Sequence, residues 1–303
     1  MIVEVLQPQG CCMGVRAAVE KASHTLSLSP AQTVCCLLEL VHNEQVVGRL
    51  KARGLRFVES LDDVPDGATV LFSAHGVAPA VREEARLRGL AAVDATCPFV
   101  ARAHRAARAF AARGVPVVVV GHADHVEVRG LVGEAPACRV VASAEEVAAL
   151  PFPSSSPLGV LCQTTLSFGT VHAVLEALRA RYPHLETTPA ADICTATRDR
   201  QRAVAEFVRG GGDGVLVLGS AGSSNTNRLV EVARAAGASF AARAGTLEEV
   251  RVLDFSGVRR LGVTAGASTP EDFLESVVAA LGESHVCARR SVKRGTAKAR
   301  KML

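Results

Sequence analysis

The chain is predicted to fold as an α/β protein of three pseudo-threefold-related lobes with mainly parallel sheets. Three observations carry this. Apolar runs bounded by turn residues alternate with helical patterns along the whole sequence. One layout recurs three times: a cysteine ahead of a helix-like segment, then apolar runs that end in polar clusters. The cysteines are Cys12, Cys97 and Cys194, 85 and 97 residues apart. The repeat is one of layout, with little sequence identity between the units.

The elements follow in order. Met1 leads into a short strand, Ile2 to Leu6, broken by Pro8 and Gly10. Further strands are expected at Thr33–Leu40, Thr69–Ser73, Val115–Val120, Leu158–Cys162, Gly214–Leu218 and Arg260–Thr264. Helices are expected at Val15–Leu28, Pro79–Arg88, Phe99–Arg113, Thr170–Arg181, Arg198–Val208 and Asn227–Ala236. Val204, Phe207 and Val208 follow helical spacing, as do Leu229, Val232, Ala233 and Ala236. The Pro/Ser-rich stretch Pro151–Pro157 reads as a loop between a helix and a strand, not as a linker. The repeat sets the units at 1–96 (with the N-terminal strand), 97–193 and 194–283, followed by a tail, 284–303.

With 303 residues and 49% hydrophobic content, the chain has enough apolar side chain for several cores. Aromatics are 4%, with no Trp, which disfavours a stacking surface for single-stranded nucleic acid. The formal charge of +4 is concentrated in the tail, where seven Lys and Arg stand without an acid, leaving the rest near −3. That tail reads as a solvated, disordered end. No leader-like segment opens the chain, and no apolar run approaches the roughly 20 residues a membrane span needs. A cytoplasmic protein, with neither nucleic-acid nor membrane partner, is the default expectation. Nine cysteines in such a chain point to buried, reactive or metal-bound thiols rather than disulfides.

In open parallel sheets, ligands bind beyond the carboxyl ends of the strands. There the sequence places Val41-His42-Asn43, Ser73-Ala74-His75-Gly76, Gly121-His122-Ala123-Asp124-His125, Gln163-Thr164-Thr165, Gly222-Ser223-Ser224-Asn225 and Thr264-Ala265-Gly266-Ala267-Ser268. A strand end that passes through Gly and Ser into a helix offers free N–H groups and a positive dipole to an anion. Each such end is equally a plain helix cap. Two of them beside strand-end histidines favour a phosphate or diphosphate, and no Gly-Lys-Ser/Thr ending marks a nucleotide loop.

Taken singly, each cysteine reads as an inert core thiol. Placed three times at the same point before a helix, they suit an iron–sulfur cluster with three protein ligands and one open iron. A thiolate at a helix N-terminus is the better metal ligand. No Cys-x-x-Cys occurs, so zinc-ribbon and local ferredoxin ligation are unsupported. His122, His125 and Glu127 form a compact group, expected in a loop after a strand. It reads either as a metal site or, preferred, as an anion ligand (His125) beside a proton donor (Glu127). Cys35, Cys36 and Cys162 fall in strands and read as core; Cys138 and Cys287 read only as free thiols.

Together these motifs resemble the 4-hydroxy-3-methylbut-2-enyl diphosphate reductase family of isoprenoid biosynthesis, from about residue 1 to 281. They are Gly10-x-Cys12-x-Gly14-Val15, Asp94-Ala95-Thr96-Cys97-Pro98, Gly121-His122-x-x-His125-x-Glu127, Asp192-Ile193-Cys194 and the strand-end clusters above. The resemblance implies three α/β lobes around a central [4Fe–4S] cluster on Cys12, Cys97 and Cys194, reduced to [3Fe–4S] if air strips the open iron. It implies that the open iron takes the substrate's allylic hydroxyl. His42, His75, His125, Ser223, Ser224, Asn225 and Ser268 would hold the diphosphate. Thr164 would position the hydroxyl and Glu127 deliver protons. Ferredoxin or flavodoxin would supply two electrons, and isopentenyl and dimethylallyl diphosphate would leave. The chain departs from the family's pattern at Val126 (usually Pro, so a looser loop around Glu127 is expected), at Leu38, at Cys11 and Met13 beside Cys12, and in its basic tail. Two alternatives remain at this stage: a paralogue acting on another allylic diphosphate, and a non-enzymatic iron–sulfur sensor, which has no need of Glu127 and Thr164.

Overall fold

The computed structural model describes residues 1–28, 32–188 and 193–284. Along the chain run β1 (Ile2–Val5), α1 (Met13–Leu28), β2 (Val34–Leu37), α2 (Glu44–Ala52), β3 (Arg56–Val58), β4 (Thr69–Phe72), α3 (Pro79–Leu87) and β5 (Ala91–Asp94). Next come α4 (Pro98–Ala112), β6 (Val117–Val120), α5 (Val126–Glu134), β7 (Arg139–Val141), β8 (Leu158–Cys162), α6 (Phe168–Arg181) and β9 (Leu185–Thr187). The remainder is α7 (Thr195–Arg209), β10 (Gly214–Leu218), α8 (Ser224–Ala235), β11 (Phe240–Ala244), α9 (Leu247–Arg251), β12 (Arg260–Ala265) and α10 (Glu271–Ser284).

The strands form three four-stranded sheets, in the orders β3-β2-β4-β5, β7-β6-β8-β9 and β11-β10-β12-β1. Every pairing is parallel. The inner strands are continuous apolar runs buried along their whole length, as a parallel sheet covered on both faces requires. The three-lobed α/β reading is therefore the observed architecture.

One placement is corrected. The opening strand was expected in the first lobe, but Ile2 pairs with Arg260 and Val5 with Val263, so β1 belongs to the third sheet. The reason is an edge. β5 and β9 flank β4 and β8, whereas β12 is followed by α10, whose Phe273, Leu274 and Val277 pack into the third core. Without β1, that side of β12 would stand open. Each flanking strand then leads directly to a cysteine and on into the next lobe's first helix. Val15, Ala18 and Ala22 of α1 pack with Val34 and Leu71, Ala107 and Phe110 of α4 with Val117 and Leu161, and Val204 and Phe207 of α7 with Val215 and Val217. Cys12, Cys97 and Cys194 thus stand at the three joints between lobes.

The second strand is shorter than the expected Thr33–Leu40. It stops at Leu37 because Leu38 adopts φ 58°. A left-handed conformation costs a non-glycine residue about 1–2 kcal/mol. Leu38 packs its side chain against the core of Leu37, Val58 and Val70, which offsets part of that cost. Pro151–Pro157 is the loop the sequence suggests, lying between a 3-10 turn, Glu145–Ala149, and β8. Cys287 and the basic tail, and Asp192 of the third cysteine motif, lie outside the described residues. Among those described, no helix is long and apolar enough to cross a membrane.

Candidate active site

The strand ends of all three sheets open on one cavity. Cys12, Cys97, Cys194, His42, His75, His125, Glu127, Thr164, Ser223, Ser224, Asn225 and Ser268 all line it. The residues the sequence nominates for the cluster and the substrate thus share one cavity, while His122 lines a neighbouring opening.

The cysteines are held by one device used three times. The Cys97 N–H donates to Ala74 O at 3.0 Å, the Cys12 N–H to Ala267 O at 2.8 Å and the Cys194 N–H to Thr164 O at 3.3 Å. Each acceptor follows the strand beside the one that leads to the cysteine. Cys97 and Cys194 are the N-cap residues of α4 and α7. The Cys194 Sγ accepts from Thr197 N at 3.4 Å and lies 3.2 Å from Thr197 Oγ1. Burial pushes the Cys97 thiol up to about 11, against the N–H groups of Phe99 and Val100, which favour the thiolate. Burial likewise raises Cys194. Metal must therefore displace protons to bind here.

The surroundings fit such a metal group. Arg200 is 3% exposed, bonds to Gly10 O and Ala196 O, and sets a guanidinium charge near Cys12 and Cys194. A buried cation there complements the negative charge of a metal-bound thiolate. Among the described residues no three His, Cys, Asp or Glu side chains are arranged around a single metal ion. Three thiols lining one cavity, with a buried guanidinium near them, fit a metal group. Cys11 does not compete: its Sγ turns to Thr269 O at 3.4 Å.

The histidines line the same cavity. His42 and His75 stack at 4.2 Å, with His125 5.7 and 6.1 Å away. Asn43 caps α2 through Val46 N, fixing His42 just outside that helix. His125 is itself the N-cap of α5, its Nδ1 accepting from Glu127 N at 3.2 Å. That bond leaves the ring proton on Nε2, which is buried with no partner, as is Nε2 of His75. Burial and the neighbouring imidazoles hold His75 well below the usual histidine range and His125 at about 4. Orphaned ring nitrogens in a cluster of three imidazoles fit an anion.

The third helix start completes this wall. Ser223 caps α8 by accepting from Thr226 N, so its own hydroxyl hydrogen remains to donate. Ser224 accepts from Thr165 Oγ1 at 3.0 Å. Asn225 accepts from Ala267 N and donates one amide hydrogen to Thr197 Oγ1, which leaves the other. Ser268 donates to His42 O at 2.9 Å, so it braces the histidine loop.

Glu127 is corrected in setting. It was expected in a loop, loosened by Val126; instead Val126 and Glu127 open α5. Histidine is an uncommon N-cap, which hid the helix start. The carboxyl is 1% exposed and clamped, Oε1 accepting from Thr164 N at 2.8 Å and Oε2 from Thr164 Oγ1 at 3.0 Å. Burial raises it to about 7 in spite of both bonds.

The family model described as "LytB protein" matches residues 3–282. The chain belongs to the LytB family. Its relatives include a Burkholderia pseudomallei protein named 4-hydroxy-3-methylbut-2-enyl diphosphate reductase, 42% identical over 283 residues, covering 93% of this chain and 89% of that one. A Mycobacterium bovis protein named 4-hydroxy-3-methylbut-2-enyl diphosphate reductase 2 is 45% identical over 284 residues, covering 92% and 85%. The solved structure of the E-1-hydroxy-2-methyl-but-2-enyl-4-diphosphate reductase from Plasmodium falciparum superposes with a TM-score of 0.91 at 31% identity, covering 99% of this chain and 95% of that one.

Sequence reasoning missed Thr197, Arg200 and the role of Gly76 in this LytB site. Arg198-Asp199-Arg200-Gln201-Arg202 is wholly polar and carries no local mark of burial, yet Arg200 and Gln201 are buried. Gly76, with φ 75°, follows His75; a Cβ there would sit 2.7 Å from His104 Nε2, a buried histidine bonded to Glu134 at 2.8 Å. Gly76→Ala is expected to lower stability by about 2 kcal/mol or more, from the left-handed backbone and the clash together. Chemical denaturation measures it, and an unchanged midpoint would refute the close packing of lobes at this turn.

Proposed function

We propose that this protein reduces 4-hydroxy-3-methylbut-2-enyl diphosphate to isopentenyl and dimethylallyl diphosphate. The observation that carries the reading is the clamped Glu127, its pKa raised by burial, in the same cavity as three thiols and three histidines. Membership of the LytB family and the names of its relatives support it. Cys12, Cys97 and Cys194 hold a [4Fe–4S] cluster, which when bound supplies single electrons and a Lewis-acidic iron for the allylic hydroxyl.

The chain's own residues do the rest. Ser223, Ser224 and the α8 N-terminus take the diphosphate, with ring N–H groups of His75 and His125. His42 closes the same wall, Asn225 offers its remaining amide hydrogen, and Ser268 fixes His42. Thr164 Oγ1 sets the hydroxyl against Glu127, whose proton is delivered as water leaves. A ferredoxin or flavodoxin brings the electrons. A sensor has no use for a buried acid poised near neutrality, so the Glu127–Thr164 pair favours an enzyme over that alternative.

The test is anaerobic. Holoenzyme that oxidises reduced methyl viologen only when this allylic diphosphate is added, with five-carbon diphosphate products, supports the reading. No oxidation from protein carrying a full complement of iron overturns it in favour of a paralogue's substrate or a sensor.

The histidines add a pH signature. The free-site values of His75 and His125 lie low, and a bound anion favours the charged ring, so diphosphate binding takes up protons. Affinity for inorganic diphosphate is expected to rise as pH falls towards the low free-site values of His75 and His125. Titration calorimetry in buffers of differing ionisation enthalpy reads the uptake; identical heats in all of them would refute it.

A further inference from the structure

Arg200 is a buried arginine with no acid beside it. It is 3% exposed on α7, and its hydrogen bonds go to backbone alone. Nη1 donates to Ala196 O at 3.0 Å and Nη2 to Gly10 O at 2.5 Å, while Nε is buried with no partner. Among the described residues, no carboxylate pairs with it; Asp199 and Glu206, the acids of the same helix, instead face Arg202 at 3.8 Å in solvent. Once ionised, the thiols of Cys12, Cys194 and Cys11 attract it more strongly than Asp199 does.

A buried charge without a counter-charge is among the costliest features a fold can hold. The two carbonyls satisfy two of its nitrogens but cancel none of its charge. These bonds also fix where it stands. Gly10 lies two residues before Cys12 and Ala196 two beyond Cys194, so the guanidinium joins two ligand-bearing segments that are far apart in sequence. One turn earlier on α7, Thr197 Oγ1 accepts from Asn225 Nδ2 and lies 3.2 Å from Cys194 Sγ, to which it donates once that thiol is ionised. One face of α7 thus brings both a charge and a hydrogen bond to the thiols.

An iron–sulfur group on three thiolates is net negative, and each electron added makes it more so. Charge and hydrogen bonds around such a group set its reduction potential. A fixed cation in a dry site favours the reduced form over the oxidised one. We infer that Arg200 is the counter-charge that raises the reduction potential of the group held by Cys12, Cys97 and Cys194; the inference rests on the reductase reading. On reduction, one electron passes from an external donor such as dithionite to the irons. Arg200 keeps its proton and takes no electron; it acts through its charge alone.

The test compares wild-type holoenzyme with Arg200→Met, which keeps an unbranched stem without the charge, and Arg200→Lys, which keeps the charge without the fork. Arg202→Met, also on α7 but with its side chain 68% exposed, controls for net charge. Iron and sulfide are assayed after anaerobic purification. The reduction potential is then read by electron paramagnetic resonance during a mediated dithionite titration. In Arg200→Met the one-electron equilibrium is expected to move about tenfold toward the oxidised form, a fall of about 59 mV. Arg200→Lys should recover most of that shift, and Arg202→Met should match wild type. Iron lost from Arg200→Met but kept by Arg200→Lys also supports the charge role, since the charge alone then separates the two variants. An unshifted potential in iron-loaded Arg200→Met overturns it. Equal losses of iron or potential in the Met and Lys variants overturn it too, in favour of a structural clasp on Gly10 O and Ala196 O. If the shift appears but wild-type holoenzyme does not turn over the allylic diphosphate, the reductase reading falls and the role of Arg200 stands. Wild-type protein that takes up no iron–sulfur group on anaerobic reconstitution overturns both.

Discussion

Glu127→Gln is expected to cut turnover by about 10²- to 10⁴-fold, the range of a general acid's contribution. Gln keeps the size of the side chain and can still accept from Thr164 N, so the fold and the cysteine wall should survive. What it loses is the proton. In the free enzyme burial lifts Glu127 to about 7, so near neutrality it holds a proton that an ordinary carboxyl has already released. The sign follows. The active form is the acid, present below that value, so kcat at saturating substrate, where diphosphate affinity does not enter, should be level on the acid side of pH 7 and fall as pH rises. In Glu127→Gln the low residual rate should show no such limb. Iron content and inorganic diphosphate affinity, which depend on other walls of the cavity, should match wild type. Turnover retained by the Gln variant, or a limb that persists in it, would remove Glu127 from proton delivery.

That the site could be read from sequence, while parts of the fold could not, has a physical cause. Ligand-binding residues sit where strands end, and the inner strands were legible because burial on both faces leaves nothing polar in Val117–Val120 or Gly214–Leu218. Their ends are therefore sharp, and the histidines and serines just beyond them stand out. The outer strands are three to five residues long and include Arg56, Asp94, Arg139, Glu186 and Arg243, so they look like loop. Strand β1 was seen but placed wrongly, because which sheet a strand joins depends on a partner more than 250 residues away. The support behind the cysteines was hidden for a related reason. Arg200 and Thr197 lie on α7 among polar residues, and nothing local distinguishes a polar helix face turned to water from one turned to a buried thiol. His125 shows the same limit in reverse, since its ring plays both ligand and helix cap.

The joint between lobes makes Gly14→Ala the sharpest test of the cysteine wall. Gly14 opens α1 beside Cys12, and a Cβ built on it collides with the Sγ of Cys97, with the Cys97 Cβ at 3.2 Å. Neither partner can yield cheaply. Gly14 is fixed by its helix, and Cys97 by the N–H bond to Ala74 O and by its place at the head of α4. Overpacking of this kind costs about 1–3 kcal/mol, met here by moving the thiol. A displaced thiol no longer completes the set with Cys12 and Cys194. Gly14→Ala is therefore expected to fold, but to be purified with most of its iron missing and to lose turnover in proportion. Gly48→Ala is the matched control. It lies mid-helix in α2 with nothing within 4 Å of its Cβ position, and there Ala should stabilise by about 0.5–1 kcal/mol through backbone propensity alone. Iron and sulfide analysis of the two anaerobically purified variants separates a general effect of alanine from a local one. Full iron loading in Gly14→Ala would show that the first and second lobes do not meet as closely as the Gly14–Cys97 approach requires, and the shared metal site would lose its main geometric support.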